Sequence, residues 1–326
     1  MSKHNSMPLL HHYTKQTAFL LVKLVLIFAA FFFIHHKLVH NDVLDVDSLL
    51  HYVNHHQIIT FQNLIILLLF SGLNWGLECL KWQLLVQEVF PVSFKKAAEQ
   101  SLGSLTASII TPNRIGEYGA KAIYFKKSLR KKIVGLNLLG NLSQLSATLF
   151  FGIIGLLYTA ITFKIPLSYL KLLGVAALCV SLFFLYQKFL SRTKFKLKGY
   201  SFKKMKRFTT NLNRETLYKT FYLSVLKYMC FSHQFYFLIW LFGVDVTYID
   251  AMALIFTMYI LVSIIPTVIV LDVLVKGSVA VWLFSFVNAN ELIIVTCITL
   301  MWLLNFALPS VIGSYFVLNF KFSENK

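Results

Sequence analysis

The chain has 326 residues, of which 57% are hydrophobic and 13% charged, and its mean hydropathy is +0.69. That profile excludes an ordinary soluble domain, and several apolar runs are long enough for a bilayer crossing, which takes about 20 helical residues. A net charge of +18 would suit nucleic acid in a soluble protein. In a membrane chain, basic residues instead collect in loops that face anionic lipid, so membrane lipids and not nucleic acid are the expected partners.

Lipid offers the backbone no hydrogen bonds, and the period-two alternation of a barrel is absent, so an all-α polytopic membrane protein follows. The first spanning helix is predicted over 17–38, and it is expected to be a retained helix. Residues 40–57 then hold Asp42, Asp45 and Asp47 without a lysine or arginine, and a second helix is predicted over 58–87. Lys95 and Lys96 precede the segment 97–127, and Lys126, Lys127, Arg130, Lys131 and Lys132 close it. The preference of basic loops for the cytoplasm puts both flanks on one side. Its arms, 97–111 and 116–127, are too short to cross individually, so a re-entrant hairpin is expected.

Helix 133–161 crosses outward and helix 168–190 returns. Residues 188–219 carry eleven lysines and arginines against Glu215 alone, which anchors them in the cytoplasm; 191–214 reads as a basic loop touching anionic lipid. Helix 219–242 leads to a loop with Asp245 and Asp250, and the segment 251–288 ends at Asn288-Ala289-Asn290-Glu291, again without a base. A second hairpin therefore enters from the outside, before helix 292–318 returns to a tail with Lys321 and Lys326. The expected architecture is one membrane domain, 1–326, with about six spanning helices plus two re-entrant hairpins. Its half-repeats, 15–161 and 168–318, are inverted relative to each other, with both termini cytoplasmic in a bacterial-type inner membrane. Eight full spans kinked at Pro112 and Pro266 are the alternative.

Each hairpin carries the same polar punctuation, a proline followed by a carboxylate and, four residues on, a lysine. These are Pro112, Glu117 and Lys121 in the first, and Pro266, Asp272 and Lys276 in the second. Proline breaks a helix, and an acid and base four apart share a face. Ionisable groups among apolar runs are costly in lipid and mark candidate sites. A carboxylate here could exchange protons, Arg114 or a lysine could hold an anionic head group, and unwound backbone next to Pro112 and Gly116 could offer N–H groups to a phosphate; Gly277 is a further candidate. Alternatively, each pair is a neutralised ion pair that stabilises a loop. Asn74, Glu78 and Lys81 share a stripe of the second helix that either lines a cleft or snorkels, and Lys227 and Gln234, in the corresponding helix 219–242 of the second half, share a face. Asn141 and Gln144, with the glycines of helix 133–161, are expected to make helix contacts. The four cysteines have no metal spacing, no cofactor is implied, and no enzyme signature is present.

Thr111-Pro112-Asn113-Arg114-Ile115-Gly116-Glu117, with its Pro-x-Arg-x-Gly-Glu pattern, resembles the flippase-like transmembrane domain of lysylphosphatidylglycerol synthases. So do the Asn74-Trp75…Glu78…Lys81-Trp82 stripe and Ser224…Lys227-Tyr228…Gln234, and the likeness covers roughly residues 15–318. It implies a stand-alone member without the aminoacyl-transferase domain, and lipid translocation with or without an enzyme partner. The expected function is translocation of an anionic lipid or lipid-linked head group, with protons as the candidate coupling ion. A non-transporting membrane scaffold for a lipid- or glycan-modifying enzyme is the alternative.

Overall fold

A computed structural model of the chain describes residues 60–109, 111, 115–164, 196–197, 200–201, 212–264 and 269–320. The helices predicted over 17–38 and 168–190, most of the basic loop, and Pro112 and Arg114 lie outside the described residues.

Helix α1 (Phe61–Gln87) begins where the Thr60 hydroxyl accepts the Asn63 N–H, at 3.2 Å, and α2 (Phe94–Ser108) where Ser93 does the same for Lys96. Such caps satisfy N–H groups that the first turn leaves without partners. Helix α3 (Gly116–Ile123) and the long α4 (Arg130–Thr162) follow. A two-residue antiparallel pairing joins β1 (Lys196–Leu197) to β2 (Tyr200–Ser201). Helix α5 (Arg214–Leu241) is capped by Asn213 and followed by a turn in which Gly243 has a φ of 68°, the left-handed region that glycine enters without a steric penalty. Helices α6 (Tyr248–Ile264) and α7 (Ile269–Phe284) precede a last rod of α8 (Glu291–Trp302), a π-helical turn at Leu303–Ala307, and α9 (Leu308–Asn319).

Three of these units are long and apolar enough to cross a membrane: α1, α4 and the rod Glu291–Asn319. Helix α5, with 28 residues, matches them in length but carries more charge. Helices α2 and α3 have 15 and 8 residues, about 22 and 12 Å at 1.5 Å per residue, and neither alone traverses a hydrocarbon core of about 30 Å. The predicted boundaries shift by a few residues. The arm expected at 97 begins at Phe94 because Ser93 caps it, and the helix expected from 219 begins at Arg214 because Asn213 caps it.

The helices pack in reciprocal pairs. Helices α1 and α5 run antiparallel, with Ser71 beside Gln234, Glu78 beside Lys227 and Glu88 bonded to Thr216. Helix α6 lies on α4 at Gly152 and Gly155, where a Cβ would collide with Ile260 and with the Ala253 carbonyl. Helix α2 lies on α9 at Gly313, where a Cβ would strike the Leu102 carbonyl, and the Thr106 hydroxyl there donates to the Ser310 carbonyl at 2.9 Å. Such glycines let helix backbones approach closely in lipid. Helix α3 packs on α4, and α7 on α8. One apolar core gathers Phe235, Leu238, Ile255, Met258, Phe284 and Ile294 from α5 to α8. A smaller one joins Trp82, Leu85, Val86, Ala97, Ile133 and Leu136 from α1, α2 and α4.

Candidate functional site

Buried charge concentrates where α1, α3, α4 and α5 meet. Glu78 on α1 accepts from two ammonium groups, Lys81 at 2.8 Å from its own helix and Lys227 at 2.5 Å from α5. The Lys81 side chain is 3% exposed and that of Lys227 is 21% exposed. On α3, Lys121 is wholly enclosed. Its ammonium pairs with Glu117 at 2.8 Å, donates to the Asn137 Oδ1 of α4 at 2.9 Å, and lies 4.3 Å from the centre of the Trp82 ring. A cation over an indole face is held by the ring's negative face, so Trp82 supplies a third side of this lysine's cage. Trp82 is itself fixed, because its indole N–H donates to Gln100 of α2 at 2.7 Å. Trp82 follows Lys81 directly on α1 and lies against Lys121, so the ion pairs of Glu78 and Glu117 adjoin.

These five side chains hold three ammonium groups and two carboxylates. Ionised groups out of water are stable only when paired and hydrogen-bonded, so the set is balanced internally apart from one excess positive charge. The neighbouring acids described on α1 and α2 are engaged elsewhere: Glu88 with Thr216, and Glu99 with Lys96 at 2.7 Å.

A neutral network occupies the other end of the α1–α5 contact. Gln234 donates to the Ser71 hydroxyl at 2.8 Å and to the Leu67 carbonyl at 3.1 Å. Its own carbonyl oxygen accepts from Asn305 at 2.8 Å, and Asn74 donates to Asn305 Oδ1 at 2.9 Å. Asn305 sits in the π-helical turn, and the Trp75 indole donates to its backbone carbonyl at 3.0 Å. A π-turn disrupts the regular ladder and leaves a carbonyl available for such a bond.

The sequence-derived candidates separate accordingly. Asn74, Glu78, Lys81, Glu117, Lys121, Lys227 and Gln234 are brought together in these two adjoining networks. Gly116 opens α3, with its N–H bonded to the Thr111 hydroxyl at 2.9 Å. Lys276 is elsewhere: it lines an aromatic cavity with Phe231, Tyr259, Trp302 and Phe306, its ammonium 5.6 Å from the Phe306 ring centre. Helix α7, which carries Lys276, packs against α6 and α8. The Asp272 side chain, like Pro112 and Arg114, lies outside the described residues, and Gly277 is buried. Asn141 and Gln144 do make helix contacts, to the Tyr118 hydroxyl at 2.9 Å and the Ser224 carbonyl at 3.3 Å. His233 is satisfied by the Met229 carbonyl and the Tyr248 hydroxyl.

Asn137, Asn305 and Gln100 complete the networks and were not singled out by sequence, whereas Trp82 entered only with the family resemblance. The signal for Asn305 was present: a lone amide inside an apolar run is costly in lipid unless partnered.

The family model described as the lysylphosphatidylglycerol synthase TM region matches residues 20–313. No curated protein matches the chain.

Proposed function

The chain belongs to the lysylphosphatidylglycerol synthase transmembrane-region family, and from that premise we propose that it translocates an anionic lipid or lipid-linked head group between leaflets. The observation that carries this reading is Glu78, which sits on α1 yet holds Lys227 of α5 as well as its own Lys81. A buried ionic contact that joins the central helices of the two halves, in a cluster with excess positive charge, can open when an external anion competes for its lysines.

The packing supports an inverted repeat for this work. Exchanging α1 with α5, α2 with α6, α3 with α7 and α4 with the α8–α9 rod carries each major helix pair onto another: α6 on α4 becomes α2 on α9, and α3 on α4 becomes α7 on α8. Helices exchanged by a two-fold axis along the membrane normal run parallel, whereas an axis in the membrane plane makes them antiparallel. Helices α1 and α5 are antiparallel. On this reading α2–α3 and α6–α7 are re-entrant hairpins from opposite faces, the half-repeats are 15–161 and 168–318, and the basic loop faces the cytoplasm of a bacterial-type inner membrane with both termini on that side. Glu117 and Asp272 are the candidate groups for proton coupling, and the chain acts as a carrier, not an enzyme.

The test is a leaflet-resolved lipid transport assay in liposomes at two pH values. Transport is expected for a lipid with an anionic head group, with its pH dependence abolished by Glu117→Gln combined with Asp272→Asn. Absence of transport for every lipid offered would favour a membrane scaffold for a partner enzyme. Normal pH-dependent transport by the folded double variant would remove the proton role.

A further inference from the structure

Resting on that transport reading, we infer that Lys121, Asn137 and Lys81 form an oxyanion seat that takes the phosphate group of the head group, with Glu117 and Glu78 as the resident carboxylates it displaces. The chemistry starts from Asn137, which is 2% exposed. A lysine ammonium can only donate, so the amide atom facing Lys121 at 2.9 Å must be the oxygen. That fixes the other amide atom, Nδ2, as a donor on the same amide group, one amide width from the oxygen that Lys121 holds. Nδ2 is buried and has no acceptor among the described residues.

A buried donor left without an acceptor is costly. Here the cost coincides with an excess of cations, which is the condition under which an arriving anion gains from both. Lys81 stands on the same side of α4. Its Cε lies 3.8 Å from where a Gly140 Cβ would be, and Gly140 is one turn beyond Asn137 on the same helix face. The absent side chain at 140 leaves room for the lysine stem to run along α4. Donors on α1, α3 and α4 thus converge from three elements, which suits an acceptor with several oxygens and separate lone pairs. Lysines bind phosphate as point charges and Asn adds a directed N–H. The resident carboxylates pair with the lysines while the seat is unloaded, and each loses one partner when phosphate takes its place.

Trp82 makes the seat observable, because its ring lies 4.3 Å from the Lys121 ammonium. The full chain, purified in uncharged detergent, is titrated with dihexanoylphosphatidic acid, inorganic phosphate and, as the uncharged analogue, dihexanoylglycerol, following tryptophan emission. A Trp82→Phe variant assigns the signal. A saturable change with phosphatidic acid and none with dihexanoylglycerol is expected. Response to inorganic phosphate as well assigns recognition to the phosphate group alone; response only to the lipid adds a contribution from its chains, and both outcomes support the seat. Asn137→Asp places a fixed carboxylate where the anion would sit and is expected to weaken binding at least tenfold. Asn137→Ser, which lacks the amide, serves if the first variant fails to fold. Asn141→Asp, one turn along and engaged with Tyr118, should bind normally. Unchanged or tighter binding by folded Asn137→Asp and Asn137→Ser would overturn the seat, as would equal response to dihexanoylglycerol. Phosphate binding without transport in liposomes would leave the seat standing and remove the transport reading, whereas undiminished transport by Asn137→Asp would do the reverse.

Discussion

Glu78 is the acid on which the α1–α5 contact depends, and its removal should cost more than removal of either lysine. Glu78→Gln keeps the shape but leaves the ammonium groups of Lys81 and Lys227, formerly at 2.8 and 2.5 Å, without a countercharge. Breaking a buried pair from one side costs about 3–5 kcal/mol, because the surviving charge is stranded out of water. Lys227→Met leaves Glu78 still paired with Lys81, and the Lys227 side chain is 21% exposed, so the expected loss is smaller, about 1–2 kcal/mol. The double variant should be less destabilised than the sum of the singles, with a coupling of about 1–3 kcal/mol, as befits groups in direct contact. Thermal or denaturant unfolding of the purified chain in one detergent, read by near-ultraviolet circular dichroism, gives all four corners of the cycle. Equal losses for Glu78→Gln and Lys227→Met with additive behaviour would refute the shared-carboxylate geometry.

Three further outcomes are expected. Gly155→Leu should destabilise by more than about 2 kcal/mol in the same unfolding assay and impair insertion or yield, since its Cβ already meets the Phe256 Cβ and the Ala253 carbonyl. Asn305→Leu strips partners from Gln234 and Asn74 together and should cost about 2–4 kcal/mol, whereas Asn319→Leu near the end of α9 should cost little. A single cysteine at Asn290 should react with an impermeant maleimide added to intact cells and one at Lys126 only after the membrane is permeabilised, and labelling of both in intact cells would contradict the inverted arrangement.

The local pairs were legible because their spacing is written in the chain. Glu78 with Lys81 and Glu117 with Lys121 are three and four apart, and a helix brings such positions to one face whatever surrounds it. The punctuation at Pro112 and Gly116 likewise foretold separate short helices α2 and α3. What spacing cannot carry is partnership between distant elements. Lys227 and Glu78 are 149 residues apart, and Asn74 and Asn305 are 231 apart; nothing local names either partner. The same limit applies to Lys276, whose motif is like that of Lys121 but names none of its tertiary neighbours. Helix α7 brings it to an aromatic wall because its neighbours are α6 and α8, a consequence of tertiary packing that no motif encodes.

The two networks on the α1–α5 contact differ in a way that bears on motion. Ser71 and Glu78 are seven residues apart on α1, about 10 Å, so the amide network and the charged cluster grip different heights of the same helix pair. Amide bonds between Gln234, Asn305, Asn74 and Ser71 involve no net charge, and an anion gains nothing by displacing them. The Lys227–Glu78 bond is different in kind, since an anion that outcompetes Glu78 for Lys227 in particular releases α5 from α1 at that height. A ligand shifts a conformational equilibrium only by its differential affinity for the two states, and here the difference would reside in one ion pair while the amide end stays fixed. On the proposed reading, the helices pivot about Asn305 and part at Glu78, and the π-helical turn that holds Asn305 sits at the pivot, where an irregular segment can absorb a change of angle between α8 and α9.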